Sequence, residues 1–278
     1  MESNVFFVGA PKCGTSTLYK IFNEHTDASV QTPKETHFYS FPEVKNTYYD
    51  VEFKENYESY NRCFLKKGKV KVDFSPSYLR LYKYAIPRIK EKNRNAKIVI
   101  IMREPVKRAI SHYLMDIKLG YQNKSISKSL QEEKFYREYV ESGLYFDAIN
   151  AYKKNFNDVY IVTYEELFSS NENILKVINF TEVNITSHFD INKNKENQFE
   201  NPRSVGLVYT LRKLNIIKVS KKVVPVKIFR KIREMFFSAG GKPDFNELEL
   251  AGIFHDDISK LDDKFPELSL DKYWRKHQ

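Results

Sequence analysis

The stretch Asn4-Val-Phe-Phe-Val-Gly9-Ala-Pro-Lys12-Cys-Gly14-Thr-Ser-Thr-Leu18 constrains the fold more than any other part of the chain. Residues 5–8 are a short apolar, β-branched run and predict a buried strand. Gly9, Pro11 and Gly14 break it, and a hydroxyl-rich helix start follows. Strand, glycine loop and helix N-terminus together build a phosphate cradle. The loop can turn its N–H groups inward, and the first helical turn carries about half a positive charge. The Gly9-x-x-x-x-Gly14 spacing is that of a P-loop, yet Thr15 and Ser16 stand where a nucleoside triphosphatase has Lys-Ser/Thr. The lysine lies inside the loop, at Lys12.

With 278 residues, 41% hydrophobic and 15% aromatic, the chain can bury one sizeable α/β core, and residues 1–278 are read as a single domain. Cys13 and Cys63 are too few for a disulfide framework or a cysteine-rich zinc site. Together with a start, Met1-Glu-Ser-Asn-Val, that lacks the basic and apolar parts of a signal peptide, they point to the cytoplasm. No apolar run approaches the ~18–20 residues that cross a bilayer. A net charge of +10 fits either a solvated basic surface or an anionic partner (nucleic acid, lipid, polysaccharide or a phosphorylated cofactor), and charge alone does not choose.

Further along, helical periodicity covers residues 15–24, and residues 29–31 read as a short strand. Phe53, Tyr57, Tyr60 and Phe64 predict an amphipathic helix over 52–64. Strands are predicted at 69–74, 96–102 and 159–163, with helices at 78–92 (interrupted at Pro87), from Pro105, at 145–156 and at 172–180. Ser129-x-x-Glu132 has the pattern of a capping box for a helix reaching residue 140. Residues 184–203 are polar and aperiodic, and 184–240 are read as a lid or acceptor-side region. The basic-apolar part, 216–237, can fold normally, wall an acceptor site or lie on a membrane surface. A final amphipathic helix carries Ala251, Phe254, Ile258, Leu261 and Phe265. Strands alternating with helices imply a doubly wound parallel sheet.

The second constellation is Arg103-x-x-x-x-Arg108-x-x-Ser111. Arg103 leaves the C-terminal end of a predicted central strand, the edge where open α/β sheets bind ligands. Ser111 follows about two helical turns later, and arginine matches phosphate bidentately. Two phosphate subsites, at residues 12–17 and at Arg103/Ser111, imply a nucleotide with phosphates at both ends. Asp73 is the one carboxylate at a strand end, so a magnesium site has little support and no metal is assigned. Two other readings use the same features: an ATP- and Mg²⁺-dependent small-molecule or carbohydrate kinase, and a basic nucleic-acid-binding protein, for which the chain shows no motif.

The motifs resemble those of PAPS-dependent sulfotransferases, in the branch holding bacterial and heparan-sulfate enzymes. The matching stretches run collinearly: Gly9-Ala-Pro-Lys-Cys-Gly-Thr-Ser-Thr-Leu18, Lys34-Glu-Thr-His-Phe-Tyr39, Ser75-Pro-Ser-Tyr78, Arg103-Glu-Pro-Val-Lys-Arg-Ala-Ile-Ser-His-Tyr113, Ser142-Gly-Leu-Tyr145 and Tyr164-Glu-Glu-Leu167. The resemblance implies a P-loop NTPase-like three-layer fold, a central parallel sheet flanked by helices. It implies that Lys12 and residues 13–17 (Cys13, Gly14, Thr15, Ser16 and Thr17) hold the 5′-phosphosulfate of PAPS (3′-phosphoadenylyl sulfate). Arg103 and Ser111 would hold the 3′-phosphate, and Glu35 would be the general base. Metal-free in-line transfer would release adenosine 3′,5′-bisphosphate, with Lys12 stabilising the leaving phosphate. His37 is read as packed or hydrogen-bonded, and stands second as a base. Cys13 is a small filler rather than a nucleophile. Arg203, in Asn201-Pro-Arg-Ser204, is the nearest counterpart of the family's C-terminal basic loop. The acceptor expected is a hydroxyl on a glycan or glycolipid, without nucleic acid or a transmembrane segment; peripheral membrane contact is one of the readings open to 216–237, behind ordinary folding or an acceptor-side wall.

Overall fold

A computed structural model describes residues 3–49, 53–66, 68–191, 201–202, 204–214, 237–238 and 247–274. Strand β1 (Ser3–Gly9) runs into the glycine loop and helix α1 (Thr15–His25), and β2 (Ser29–Val30) follows. After α2 (Tyr57–Asn61) come β3 (Val70–Phe74), α3 (Ser77–Arg80) and α4 (Tyr82–Lys92), then β4 (Lys97–Met102) and the long α5 (Pro105–Leu119). Helices α6 (Ile126–Ser129), α7 (Glu133–Tyr139) and α8 (Phe146–Asn155) lead to β5 (Val159–Thr163), α9 (Tyr164–Leu167) and α10 (Asn171–Thr181). A two-residue strand β6 (Asn201–Pro202) pairs antiparallel with β7 (Phe237–Ser238), and α11 (Val205–Lys213) lies between them in sequence. Helices α12 (Glu247–Lys264) and α13 (Leu270–Trp274) complete the described chain.

The main sheet has the order β2-β3-β1-β4-β5, and every pairing in it is parallel. Val5, Phe6, Phe7 and Val8 of the central strand are fully buried, as a continuous apolar run requires when helices cover both faces. Phe7 stacks on Phe74 at 4.1 Å between ring centroids, and Phe22 of α1 meets both edge-on. A second apolar cluster joins α5, α7 and α12 through Val106, Ile110, Leu114, Phe135, Leu250 and Phe254. Among the described residues no helix is long and apolar enough to cross a membrane.

Three local expectations are corrected. The helix predicted over 52–64 is only α2, because the Asn56 side chain accepts the Ser59 N–H at 2.9 Å and starts it there. Its aromatic spacing reflects packing of Tyr57 and Tyr60 on Phe38 rather than a long helix. The break at 78–92 falls at Leu81 (ψ 31°), and Pro87 sits inside α4. Pro87 and Lys83, whose carbonyl loses its helical donor, are both exposed, so water can satisfy that group. The capping box does not form. Ser129 ends α6 and donates to the Ser125 carbonyl at 2.7 Å, while Glu132 pairs with Lys124 and Lys134. Residues 192–200, Arg203, 215–236 and 239–246 lie outside the described residues. Most of the predicted lid and of the 216–237 segment, and the Arg203 assignment, therefore fall there.

Candidate active site

Sheet order locates the site before any side chain does. From β1 the chain crosses to the edge strand β2 and comes back inward as β3, then passes β1 to place β4 and β5 on the other side. The reversal falls between β1 and β4, and in an open parallel sheet the crevice forms beyond the strand ends at that point. The glycine loop leaves β1 there, and Arg103 leaves β4.

The two exits are tied together. Ala10 N–H donates to the Ile101 carbonyl at 2.7 Å, and Arg103 Nη1 donates to the Lys12 carbonyl at 3.2 Å. Gly14 ends the loop in a left-handed conformation (φ 79°), and its carbonyl accepts the N–H groups of Thr17 and Leu18. As at any helix start, the first N–H groups of α1 have no intrahelical acceptor. A Cβ on Gly14 would meet the Phe168 ring, at 2.7 Å from Cζ, so the aromatic turn after β5 closes over the loop. Tyr164 of the same turn lies under the Arg103 guanidinium, 4.7 Å from the ring centroid. Arg103 Nε is buried without a hydrogen-bond partner, a donor that a bound anion would satisfy. Cys13 is fully buried, and burial pushes its thiol up to about 12. That is a packed group rather than a nucleophile.

Lys12 is half-buried, and its Nζ rests 3.3 Å from the Met115 sulfur on α5. Burial lowers its pKa to about 8, with Arg103 and Lys34 adding to the fall and Asp116 and Glu35 opposing it. Ser111 lies one turn before Met115 on α5 and is likewise half-buried. Arg108 is not part of them. It is fully buried and donates to the carbonyls of Glu138 and Tyr139, bracing the chain after α7.

Glu35 and His37 come from the loop after β2. Glu35 pairs with Lys34, and its carboxylate lies 3.8 Å from His37 Nε2. Burial, the largest influence, pushes the Glu35 pKa up, but Lys34, His37 and Lys12 together outweigh it, so the net direction is down and the group is a carboxylate at neutral pH. Burial also lowers His37, which is therefore neutral. Its Nδ1 is bonded to Ser77 Oγ at 2.8 Å, and Nε2 is buried without a hydrogen-bond partner. Among the described residues five non-glycine residues have positive φ, and Lys12, Glu35 and His37 are three of them. Such backbones cost about 1–3 kcal/mol each and gather at functional sites.

Asp73 does not face the crevice as a metal ligand would. It is 1% exposed and accepts from Gln31, Tyr60, Ser75 and Tyr78, fastening β3 beneath the Glu35 loop. Among the described residues no three metal-ligating side chains gather.

A family model for the sulfotransferase domain matches residues 2–221. The chain belongs to the sulfotransferase family. The membrane-associated sulfotransferase kil1 of Dictyostelium discoideum is 28% identical over 125 residues. That match covers 44% of this chain and 25% of kil1, so the chain spans about a quarter of that relative's length. A sulfotransferase from Alicyclobacillus acidocaldarius has the same fold, with a TM-score of 0.67, 24% identity and 95% of each chain covered. Mouse sulfotransferase SULT7A1, solved with PAP, gives a TM-score of 0.52 at 14% identity over 98% of this chain and 89% of that one.

Sequence reading missed two sets of residues. Tyr164 over Gly14 was seen only as a motif residue and Phe168 not at all, because nothing local places the β5 exit on the loop. A cluster of Tyr48, Tyr49, His112, Tyr139 and Asp116 beside Lys12 was missed as well. Its α5 half was readable from the i, i+4 spacing of Arg108, His112 and Asp116, but its tyrosines come from elsewhere.

Proposed function

We propose that this chain is a single-domain, cytoplasmic sulfotransferase that moves the sulfuryl group of PAPS to a hydroxyl of a saccharide, either a polysaccharide or a glycolipid. One observation carries the reading. Arg103 bonds the Lys12 carbonyl across 91 residues of sequence, setting both cationic groups on one ledge with Arg103 Nε unsatisfied. PAPS, when bound, supplies the sulfuryl group and an anionic leaving group. Lys12 and the N–H and hydroxyl groups of residues 13–17 hold the 5′ end, and Arg103 and Ser111 hold the 3′-phosphate. Arg203 adds to the same anion from the acceptor-side region, residues 184–240. The Lys12 ammonium balances charge on the leaving oxygen, because a fixed charge in a half-buried site needs little reorganisation.

Glu35 takes the proton from the acceptor hydroxyl. It is ionised and 36% exposed, and lies within electrostatic reach of Lys12. His37 orients that carboxylate and can hold a proton at Nε2. The half-buried rings of Tyr48, Tyr49 and Tyr121, packed edge to face, support a sugar acceptor because they present amphipathic surface beside the ledge. The family relationship and the consumption of Asp73 inside the fold weigh against the kinase reading. Peripheral membrane contact, a property in the name of the Dictyostelium relative, would use 216–237.

Adenosine 3′,5′-bisphosphate should raise the melting temperature, and AMP should do so far less. Equal stabilisation by both would remove the 3′-phosphate assignment. With labelled PAPS and a panel of glycans, Glu35→Gln should bind the bisphosphate normally and lose ~10²–10⁴-fold in turnover. Retained turnover would move the base to His37.

A further inference from the structure

Arg108, His112 and Asp116 recur every fourth residue along α5 and so share one helix face. All three are at most 2% exposed. Their hydrogen bonds run in one direction. Arg108 Nη1 donates to His112 Nδ1 at 3.2 Å, which leaves the ring hydrogen on Nε2. Nε2–H donates to the Tyr49 hydroxyl at 2.8 Å, and Tyr49 O–H donates to Asp116 Oδ1 at 2.7 Å. The opposite tautomer would turn Nδ1–H to the Glu138 carbonyl and draw the Tyr49 hydrogen away from the carboxylate, so the 2.7 Å Tyr49–Asp116 bond is what selects Nε2–H. The Glu138 carbonyl lies 3.0 Å from Nδ1 and accepts from Arg108 Nη2 at 2.9 Å. On its other oxygen Asp116 accepts from Tyr139 at 2.6 Å and from Tyr48.

Asp116 is thus a carboxylate held by three phenols, and among the described residues it has no ion pair. Burial pushes it up to about 6 against the pull of those phenols, so it is ionised at neutral pH. Its neighbour in sequence, Met115, carries the sulfur on which Lys12 Nζ rests. The groups that face Lys12 are Asp116 from α5, Arg103 from the end of β4, and Glu35 and Lys34 from the loop after β2. Asp116 is the strongest of the influences that favour the ammonium.

We infer that Asp116 is a positioning residue for Lys12: the Arg108–His112–Tyr49 chain fixes a buried carboxylate next in sequence to Met115, the residue whose sulfur seats the Lys12 ammonium 3.3 Å away. This rests on the proposed role of Lys12. The chain explains why Arg108, fully buried and three residues before Ser111 on the same helix, is not spent on the anion.

The test is the titration of Lys12 in the full chain, followed by pH-dependent trace acetylation with acetic anhydride and peptide mass spectrometry. The wild-type midpoint should lie near 8. Asp116→Asn should lower it by about one pH unit, the effect of losing an opposite charge. Tyr49→Phe, which cuts the chain at its outer link, should lower it by less. A midpoint unmoved in the folded variants overturns the inference, and if Asp116→Asn fails to fold, Tyr49→Phe decides alone. Calorimetric titration with adenosine 3′,5′-bisphosphate separates the two readings. If the midpoint shifts while wild type binds no bisphosphate, the donor reading falls and the Asp116–Lys12 link stands. If the bisphosphate binds and the midpoint does not move, the link falls alone.

Discussion

Lys12 combines a left-handed backbone (φ 70°), partial burial and a thioether as its ammonium's resting partner. A thioether accepts weakly, so it yields readily to an anionic oxygen. With a pKa near 8, the free protein loses the charged form as pH rises through that value. For the donor, kcat/KM should therefore fall on the alkaline side from about pH 8, while the limb in kcat lies higher, because a bound phosphate favours the ammonium. A pH–rate profile measured for both constants checks this; coincident limbs would assign the titration to another group. At this scale much was legible. Lys12 and Gly14 could be read from loop spacing, and Glu35 from a resemblance. Arg108 could not be assigned, since an arginine beside a phosphate-binding motif reads the same whether it faces solvent or braces carbonyls.

Among the elements, α5 does most to shape the site, and its ends are set locally. Glu104 caps it by accepting the Val106 and Lys107 N–H groups at 2.9 and 2.8 Å, and Gly120 closes it at φ 75°. Gly120 also lies against α11, where an added Cβ would sit 2.7 Å from the Val208 carbonyl. Gly120→Ala should displace α11 from α5 and destabilise the fold by roughly 1–3 kcal/mol through backbone strain. Hydrogen exchange in 205–213 should rise well above that in β1 and β4, and unchanged exchange there would show that the two helices are not coupled. Strands and long helices were legible because apolar periodicity reports burial directly. The misread short helices, α2 and α6–α7, are decided by one or two side-chain bonds. Asn56 and Ser129 could each cap in more than one way until tertiary packing chose.

For the molecule as a whole, the buried carboxylates set a pH dependence of stability. Burial raises Asp73 from 3.8 to about 6, despite four donors. Between those values the folded chain holds a proton that the unfolded chain has lost, so this contribution is full below about pH 4 and disappears as pH rises through 6. Its ceiling is about 3 kcal/mol, at 1.36 kcal/mol per pH unit. Asp73→Asn loses acceptor capacity at every pH, but its melting-temperature deficit against wild type should be smaller at pH 7 than at pH 4.5. A deficit independent of pH would mean that Asp73 is not the titrating group.

Local sequence by itself determined the cradle: an apolar strand, glycines where φ must be positive, and a helix start carrying hydroxyls are all short-range chemistry. It also determined the α/β alternation, because strand and helix periods are read within a dozen residues. Only the tertiary structure decided that β1 and β4 are neighbours, which brings Arg103 to the Lys12 carbonyl and places Tyr164 and Phe168 over Gly14. It alone decided that Arg108 faces inward and that Tyr49 joins it to Asp116 beside Lys12. The reason is physical. Strand order and the pairing of distant polar groups depend on which apolar faces bury one another across the whole chain, and no local period records that choice.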